Sequence, residues 1–389
     1  MGHTMGNHTK VPPASAVKAV TALRSWLSRT SDRLLPAPLA VAELGHQFAR
    51  AHVLAALSEL GVADALDGEP RTSSDLAAQL GCDPGTLHRL LRSAATFGAV
   101  RMGKDGRVSA TRLTRSLRSD DVHAAGSWCS YLSSTAHQQA WADLVTSVRT
   151  GEPAFRRVHG QTLFEWFDGH PEEGEHFTRG LAGLTLADAP FVIAGLDLPD
   201  RGVVCDVAGG RGVLLAEILR ARPGLRGVLV ESEAVLVEAK AYLSQLGLLE
   251  RVELVPGDIF APYQVTADLY LLKWILHDWD DASCRTLLSA LAATMPEGAR
   301  AVVIEGLQEP NAVDPRFSMI DLEMLVVTED GRERSAEQLR SLLSDAGLTP
   351  TTHTITATGT ALVSATATPG VWAAGARERR GHERLAADQ

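Results

Sequence analysis

The ten residues Val203–Gly212, VVCDVAGGRG, run from an apolar, β-rich segment through Asp206 into a glycine-rich turn. VLLAEILRAR continues from them with a helical pattern. A buried strand, a glycine turn and a helix in that order let a ligand approach the backbone closely and offer it free N–H groups at the helix start. The dinucleotide fingerprint GxGxxG does not fit, because counting from Gly210 puts Leu215 at its third glycine. The spacing is instead Asp206-x-Ala208-x-Gly210-x-Gly212, with Gly209 inside the turn. An alanine at 208 adds one methyl group, which the reading tolerates only at negative φ.

Downstream, four further segments end on chemistry-bearing residues. GVLVESEA places Glu231 at the end of a second strand, where a carboxylate can accept both hydroxyls of a ribose. A surface glutamate opening the next helix is the bland alternative. PGDIF puts Asp258 at a third strand end, able to accept from an adenine amino group, with Ile259 and Phe260 to cover the ring. Asp after Gly is also an ordinary turn residue. In LLKWILHDWDDASC a strand leads through Lys273 and Trp274 to His277 and Asp278. A histidine just beyond the carboxyl end of a parallel strand lies where such sheets bind ligands, and it can accept a proton near neutral pH. Taken alone, a capping or packing histidine would be the better reading. Glu305, ending AVVIE, and Glu333, in DGRERS, shift that balance, since a carboxylate on an imidazole N–H fixes its tautomer and raises its basicity. No HExxH and no clustered ligand set suggests a metal, and there is neither a Walker loop nor a GxSxG elbow.

These segments alternate strand with helix, which predicts a doubly wound α/β unit with a parallel sheet. Upstream the grammar differs. In RTSSDLAAQLGCDPGTLHRLLRSAATFGAV, Thr72 or Ser73 caps a helix ending near Leu80, and Asp83 caps another with Pro84 at its first position. VRMGKDGRVSAT then reads as a hairpin. Together these make a winged-helix pattern. Residues 67–118 carry nine Arg or Lys against five Asp or Glu, so a DNA-binding regulator is a rival reading. The whole chain carries a formal net charge of −10, which argues against a polyanion partner. Residues 121–190 read as helical and rich in aromatics, among them Trp141, Phe155, Phe164, Trp166, Phe167 and Phe177. Such density suits a pocket for a flat ligand, although core packing explains most of them individually.

Val17, Val20, Leu23 and Leu27 fall on one face of a possible N-terminal helix, expected to pack on a partner subunit rather than a membrane. GARERRGHERLAADQ is polar and aperiodic and is expected to be disordered. The four cysteines are scattered with no CxxC, which fits a reducing cytoplasm without a disulfide framework or structural zinc. No apolar leader is expected from MGHTMGNHTK, and no apolar run is long enough to span a membrane.

In this order, the winged helix, DVAGGRG, LVE, PGDIF, LLKWILHDWDD, VVIE and DGRERS resemble the plant-type small-molecule O-methyltransferases. The likeness is greatest to the bacterial branch acting on aromatic polyketides and related antibiotics. It covers roughly residues 40 to 366. The resemblance implies a Rossmann-like domain binding S-adenosylmethionine, with S-adenosylhomocysteine as product and no metal, preceded by a winged-helix dimerisation domain. The implied division is an arm at 1–38, the dimerisation domain at 39–120, a helical linker lining the acceptor pocket at 121–190, the methyltransferase domain at 191–367 and a tail at 368–389. It implies a cofactor set of Asp206, Gly209, Gly210, Gly212, Glu231, Asp258, Ile259 and Lys273. His277 would be the base, flanked by Glu305 and Glu333. Trp141, Phe177, Trp274, Asp278, Met324 and Thr328 would touch a hydroxylated, aromatic acceptor. The chain would be a cytoplasmic homodimer with no nucleic-acid or membrane partner. Two positions depart from the pattern: Ala208 replaces a usual glycine, and Glu231 stands where plant members usually have Asp. The family also includes members that hydroxylate, decarboxylate or steer cyclisations, and the retained His277, Glu305 and Glu333 favour methyl transfer over those.

Overall fold

The computed structural model describes residues 14–310 and 314–367. The polar stretch expected to be disordered and the first thirteen residues lie outside that range. Two compact units are present. One comprises residues 30–187 with 325–329, and the other, among the described residues, 14–29, 188–324 and 330–367.

The first unit begins as its capping residues dictate. Thr72 accepts from the Asp75 N–H and the Asp75 carboxylate accepts from the Thr72 N–H, a reciprocal cap that starts the helix Ser73–Leu80. Gly81 ends it at φ +66°, where a side chain would be strained. Asp83 accepts from the Thr86 N–H at 2.7 Å, and the helix Pro84–Thr96 follows. Strands β1 (Arg71–Thr72), β2 (Val100–Met102) and β3 (Arg107–Ala110) form a small antiparallel sheet in the order β1-β3-β2, the wing. Leu57, Leu76, Leu87, Leu91 and, from β3, Val108 are buried together in one core cluster. Each removes a full aliphatic side chain from water, worth about 1.5–3 kcal/mol.

Residues 125–187 form a series of helices joined by short turns. Their aromatic rings pack around the buried Tyr131, with Phe177 at 5.0 Å and His137 at 4.9 Å between centroids. Gly180 and Gly183 lie in the long helix Pro171–Gly195 because a Cβ there would strike Trp128 and the His123 backbone respectively. The N-terminal segment does form a helix, Ala14–Arg33, and Val20, Leu23 and Leu27 on it are more than half exposed.

The second unit holds a seven-stranded sheet. Its strands are β4 (Gly202–Val207), β5 (Leu225–Glu231), β6 (Val252–Pro256), β7 (Leu269–Lys273), β8 (Arg300–Glu305), β9 (Leu348–Ile355) and β10 (Ala361–Ala367). They run in the order β6-β5-β4-β7-β8-β10-β9. The first five pair in parallel, but β10 is antiparallel to both β8 and β9, so the sheet is mixed rather than wholly parallel. LTPTTHTI contains a proline and mostly exposed threonines, which hid an edge strand from a reading tuned to apolar runs. Val204, Leu229, Leu271 and Ile304 bury into one face of the sheet, and Cys205, Val230, Leu272 and Val303 into the other. Because β5 and β6 lie to one side of β4 and β7 to the other, the connections diverge between β4 and β7. That crevice, beyond the strands' carboxyl ends, is where sheets of this class bind ligands.

Candidate functional site

The carboxyl ends of five parallel strands meet at this crevice, all within the second unit. At the end of β4 the chain turns through the glycine loop. Ala208 takes φ +53°, Gly210 +57° and Gly212 +76°. The expectation of a negative φ at 208 was therefore wrong. An alanine can occupy the left-handed region at a cost of about 1–2 kcal/mol, and the surrounding loop imposes that conformation here. A Cβ on Gly209 would strike the Asp206 carboxyl group, whereas Gly210 faces open space. The Gly210 N–H donates to Glu231 Oε1 at 3.2 Å, and the Ser232 N–H donates to Glu231 Oε2 at 2.7 Å. The end of β5 is thereby tied to the glycine loop of β4. Burial raises the Glu231 carboxyl above its ordinary value despite these donors.

Asp206 is buried, and its Oδ2 has no hydrogen-bond partner among the described residues. Burial pushes it up to about 7 against the pull of Lys273. Lys273, ending β7, is pushed down to about 7 by burial, with Asp188, Asp206 and Glu305 pulling the other way. Its ammonium lies 3.0 Å from the centroid of the Trp274 ring. Trp274 has φ +56°, so the chain bends sharply as it leaves β7. An open glycine, a carboxylate at each of two strand ends and an orphaned buried oxygen fit a polar, cationic cofactor reaching the backbone here. Asp258 lies at the exposed end of β6, where its Oδ1 accepts from the Phe260 N–H at 2.9 Å. Ile259 and Phe260 pack partly against the core, with Phe260 edge-on to Trp279.

Beyond Trp274 a single 3-10 turn, Leu276–Asp278, carries His277. Its side-chain Nδ1 lies 2.8 Å from Glu333 Oε1. The N–H groups of Ile275, Leu276 and His277 all donate to Glu305 Oε1, at 3.2, 2.7 and 3.2 Å. One buried carboxylate at the end of β8 thus gathers the start of the turn, while another orients the ring. Because Nδ1 is engaged by Glu333, Nε2 is the nitrogen left for an acceptor, and Asp278 Oδ1 lies 3.5 Å from it. Burial works against a charged ring, but Asp278, the Glu333 hydrogen bond and Glu305 outweigh it and raise His277 to about 10. Asp278 is pushed up to about 6 by burial, and Glu305 to about 7, each opposed by His277. His277, Glu305 and Glu333 each offer an atom within 4.8 Å of the others, as a metal site would. Glu333 Oε1 holds the ring and Glu305 Oε1 the backbone, an arrangement suited to a base and its orienters, while the second oxygen of each carboxylate is buried with no hydrogen-bond partner among the described residues.

The structure therefore brings together Asp206, Gly209, Gly210, Gly212, Glu231 and Lys273, and beside them His277, Asp278, Glu305 and Glu333. Met324 is buried on the helix Pro315–Val327 of the same unit. Trp141, Phe177 and Thr328 belong to the first unit, where Phe177 packs on Tyr131 and Trp141 lies 6.4 Å from His137. Sequence reasoning missed Asp188, which accepts from Thr358 and Thr360 and bears on Lys273. LADAP gave no signal for it. It also missed Asp321, which accepts from the Glu333 N–H at 2.9 Å.

Comparison with known proteins decides what this site belongs to. Residues 141–349 match the model of an O-methyltransferase domain, and residues 42–120 that of an O-methyltransferase dimerisation domain. The chain belongs to this O-methyltransferase family. Among its relatives is the mitomycin biosynthesis 6-O-methyltransferase of Streptomyces lavendulae, 37% identical, with 75% of this chain and 83% of that protein aligned. Another is the O-demethylpuromycin-O-methyltransferase of Streptomyces alboniger, also 37% identical, covering 77% and 80%. The solved structure of the mitomycin 7-O-methyltransferase MmcR superposes with a TM-score of 0.77 at 32% identity, over 90% of this chain and all of that one. This O-methyltransferase is S-adenosylmethionine-dependent. No described helix is long and apolar enough to cross a membrane.

Proposed function

We propose that this O-methyltransferase methylates a phenolic hydroxyl of a small aromatic natural product, with His277 as general base. The observation that carries the reading is the buried His277–Glu333 pair at 2.8 Å, set on a turn whose N–H groups converge on Glu305. The cofactor supplies an activated methyl group on a sulfonium. Asp206, the glycine loop, Glu231, Asp258, Ile259 and Lys273 would hold it. His277 Nε2 would take the proton from the acceptor oxygen, and the Glu333 carboxylate would stabilise the imidazolium so formed. Such a transfer otherwise needs mainly positioning. Trp274, Asp278 and Met324 would contact the acceptor. The relatives' names and the aromatic density of residues 121–190 support that acceptor class.

In this reading residues 39–120 make a homodimer and 191–367 carry the chemistry. Its setting is the cytoplasm, supported by four free cysteines, with neither nucleic acid nor membrane as partner. A methylation screen of hydroxyaromatics with labelled cofactor tests the reading. Radioactivity should pass to oxygen on at least one acceptor. Cofactor binding without transfer across a broad screen would favour the non-methylating members of the family instead. Glu231→Ala should weaken S-adenosylmethionine binding by about 1.5–3 kcal/mol, the range for charge-assisted hydrogen bonds. Calorimetry showing unchanged affinity would remove Glu231 from the cofactor site.

A further inference from the structure

Arg334 is fully buried, with none of its side chain exposed to solvent, and the methyl-transfer mechanism makes no use of it. Burying a guanidinium is costly unless every donor finds a partner. The partners here are informative. Nη1 donates to the Leu276 carbonyl at 2.7 Å and Nη2 to the Trp279 carbonyl at 2.7 Å. Nε donates to Asp281 Oδ1 at 2.9 Å, at the start of the helix Asp281–Thr294. The two carbonyls bracket His277 and Asp278. Glu305 takes the N–H groups on one side of the turn, and Arg334 takes the carbonyl groups on the other. The residue before Arg334 is Glu333, which holds the His277 ring.

The position of that segment is itself fixed. Leu307 and Arg334 form an isolated parallel bridge, and the Gln308 N–H donates to the Arg334 carbonyl at 3.1 Å. The chain leaving β8 therefore aligns both Glu333 and Arg334. Asp281 also accepts from Arg332, and burial notwithstanding, the two guanidiniums hold its carboxyl below the ordinary range.

We propose that Arg334 is a positioning residue for His277: its planar fork clamps the backbone of the His277 turn so that the ring held by Glu333 presents Nε2 to the acceptor. The inference rests on the reading of His277 as the base. A guanidinium suits the task because it delivers three divergent donors in one rigid plane, which an ammonium cannot reproduce. A displacement of about 1 Å at a reacting group costs on the order of 100-fold in rate, so loosening the clamp should register in turnover.

The test uses the full-length enzyme with an acceptor found in the methylation screen. Arg334→Lys should lower kcat by about 10–100-fold, while S-adenosylmethionine affinity and acceptor KM stay within about threefold of wild type. Asp281→Asn, which loosens the Arg334 anchor without removing the guanidinium, should lower kcat in the same direction by less, and it carries the test if Arg334→Lys does not fold. The decisive readout is the cycle with His277→Ala. If Arg334 acts through His277, adding Arg334→Lys to His277→Ala costs little further activity. Fully additive losses, or a folded Arg334→Lys enzyme with wild-type kcat and only a lowered melting temperature, would overturn the proposal and leave Arg334 a structural residue. Full activity of His277→Ala alone would instead overturn the base reading on which the proposal rests, so the two failures are distinguishable.

Discussion

His277→Ala should lose about 10²–10⁴-fold in kcat while binding S-adenosylmethionine as the wild type does. A phenol has a pKa near 10, so at neutral pH it is mostly protonated and a weak nucleophile. The imidazole must take that proton to make the oxygen nucleophilic. The site raises His277 to about 10, which makes the neutral ring scarce at neutral pH but a strong base when present. The sign of the pH effect follows. Only neutral His277 accepts a proton, so kcat/KM should climb as pH rises and level off above the His277 pKa. A positive charge bound nearby lowers that pKa, so with saturating cofactor the limb should lie below about 10. Glu333→Gln removes the hydrogen-bonded carboxylate and should move the limb to lower pH. His277→Ala should lack it altogether. Retention of full activity by His277→Ala on the best acceptor would show that proximity suffices and that His277 is structural.

Glu305→Ala should cost about 3–5 kcal/mol of folding stability, the range for breaking a buried polar network. One oxygen of Glu305 accepts three backbone N–H groups, and removal leaves all three buried without it. Each unsatisfied donor costs about 1–3 kcal/mol before relaxation. Glu305→Gln keeps an acceptor oxygen in place and should lose far less stability. Urea unfolding of the two variants separates these outcomes. A Glu305→Ala protein within about 1 kcal/mol of wild type would mean that the turn reorganises freely, and that Glu305 does not fix where His277 sits.

Much of the architecture was legible because local signals agreed with one another. Thr72, Gly81, Asp83 and Pro84 are each residues with one preferred place in a helix, and the helices start and stop at them. The parallel strands β4, β5, β7 and β8 declared themselves because burial on both faces demands long apolar runs, whereas β6, at the sheet edge, is only partly buried. The two antiparallel strands, β9 and β10, were not read. The edge strand β9 has little apolar pattern, and its partner carries Ser and Thr among its buried residues.

The sequence by itself determined which residue types stand at the strand ends: Asp206, Glu231, Lys273, His277 and Glu305 each follow a β-rich run. That placement at the crevice is a consequence of topology, since every parallel strand of the sheet must end on the same side. Three things only the tertiary structure decided. The left-handed backbone at Ala208 is set by the loop around it, which overrides alanine's own preference. The roles of the two glutamates separate only in space, with Glu333 on the ring and Glu305 on the backbone, because a carboxylate's partners come from chain segments 28 to 56 residues away. Arg334 looked like one more charge in DGRERS. Folding buries it under the His277 turn, where the cost of desolvating a guanidinium is offset only by the carbonyls and the carboxylate it binds.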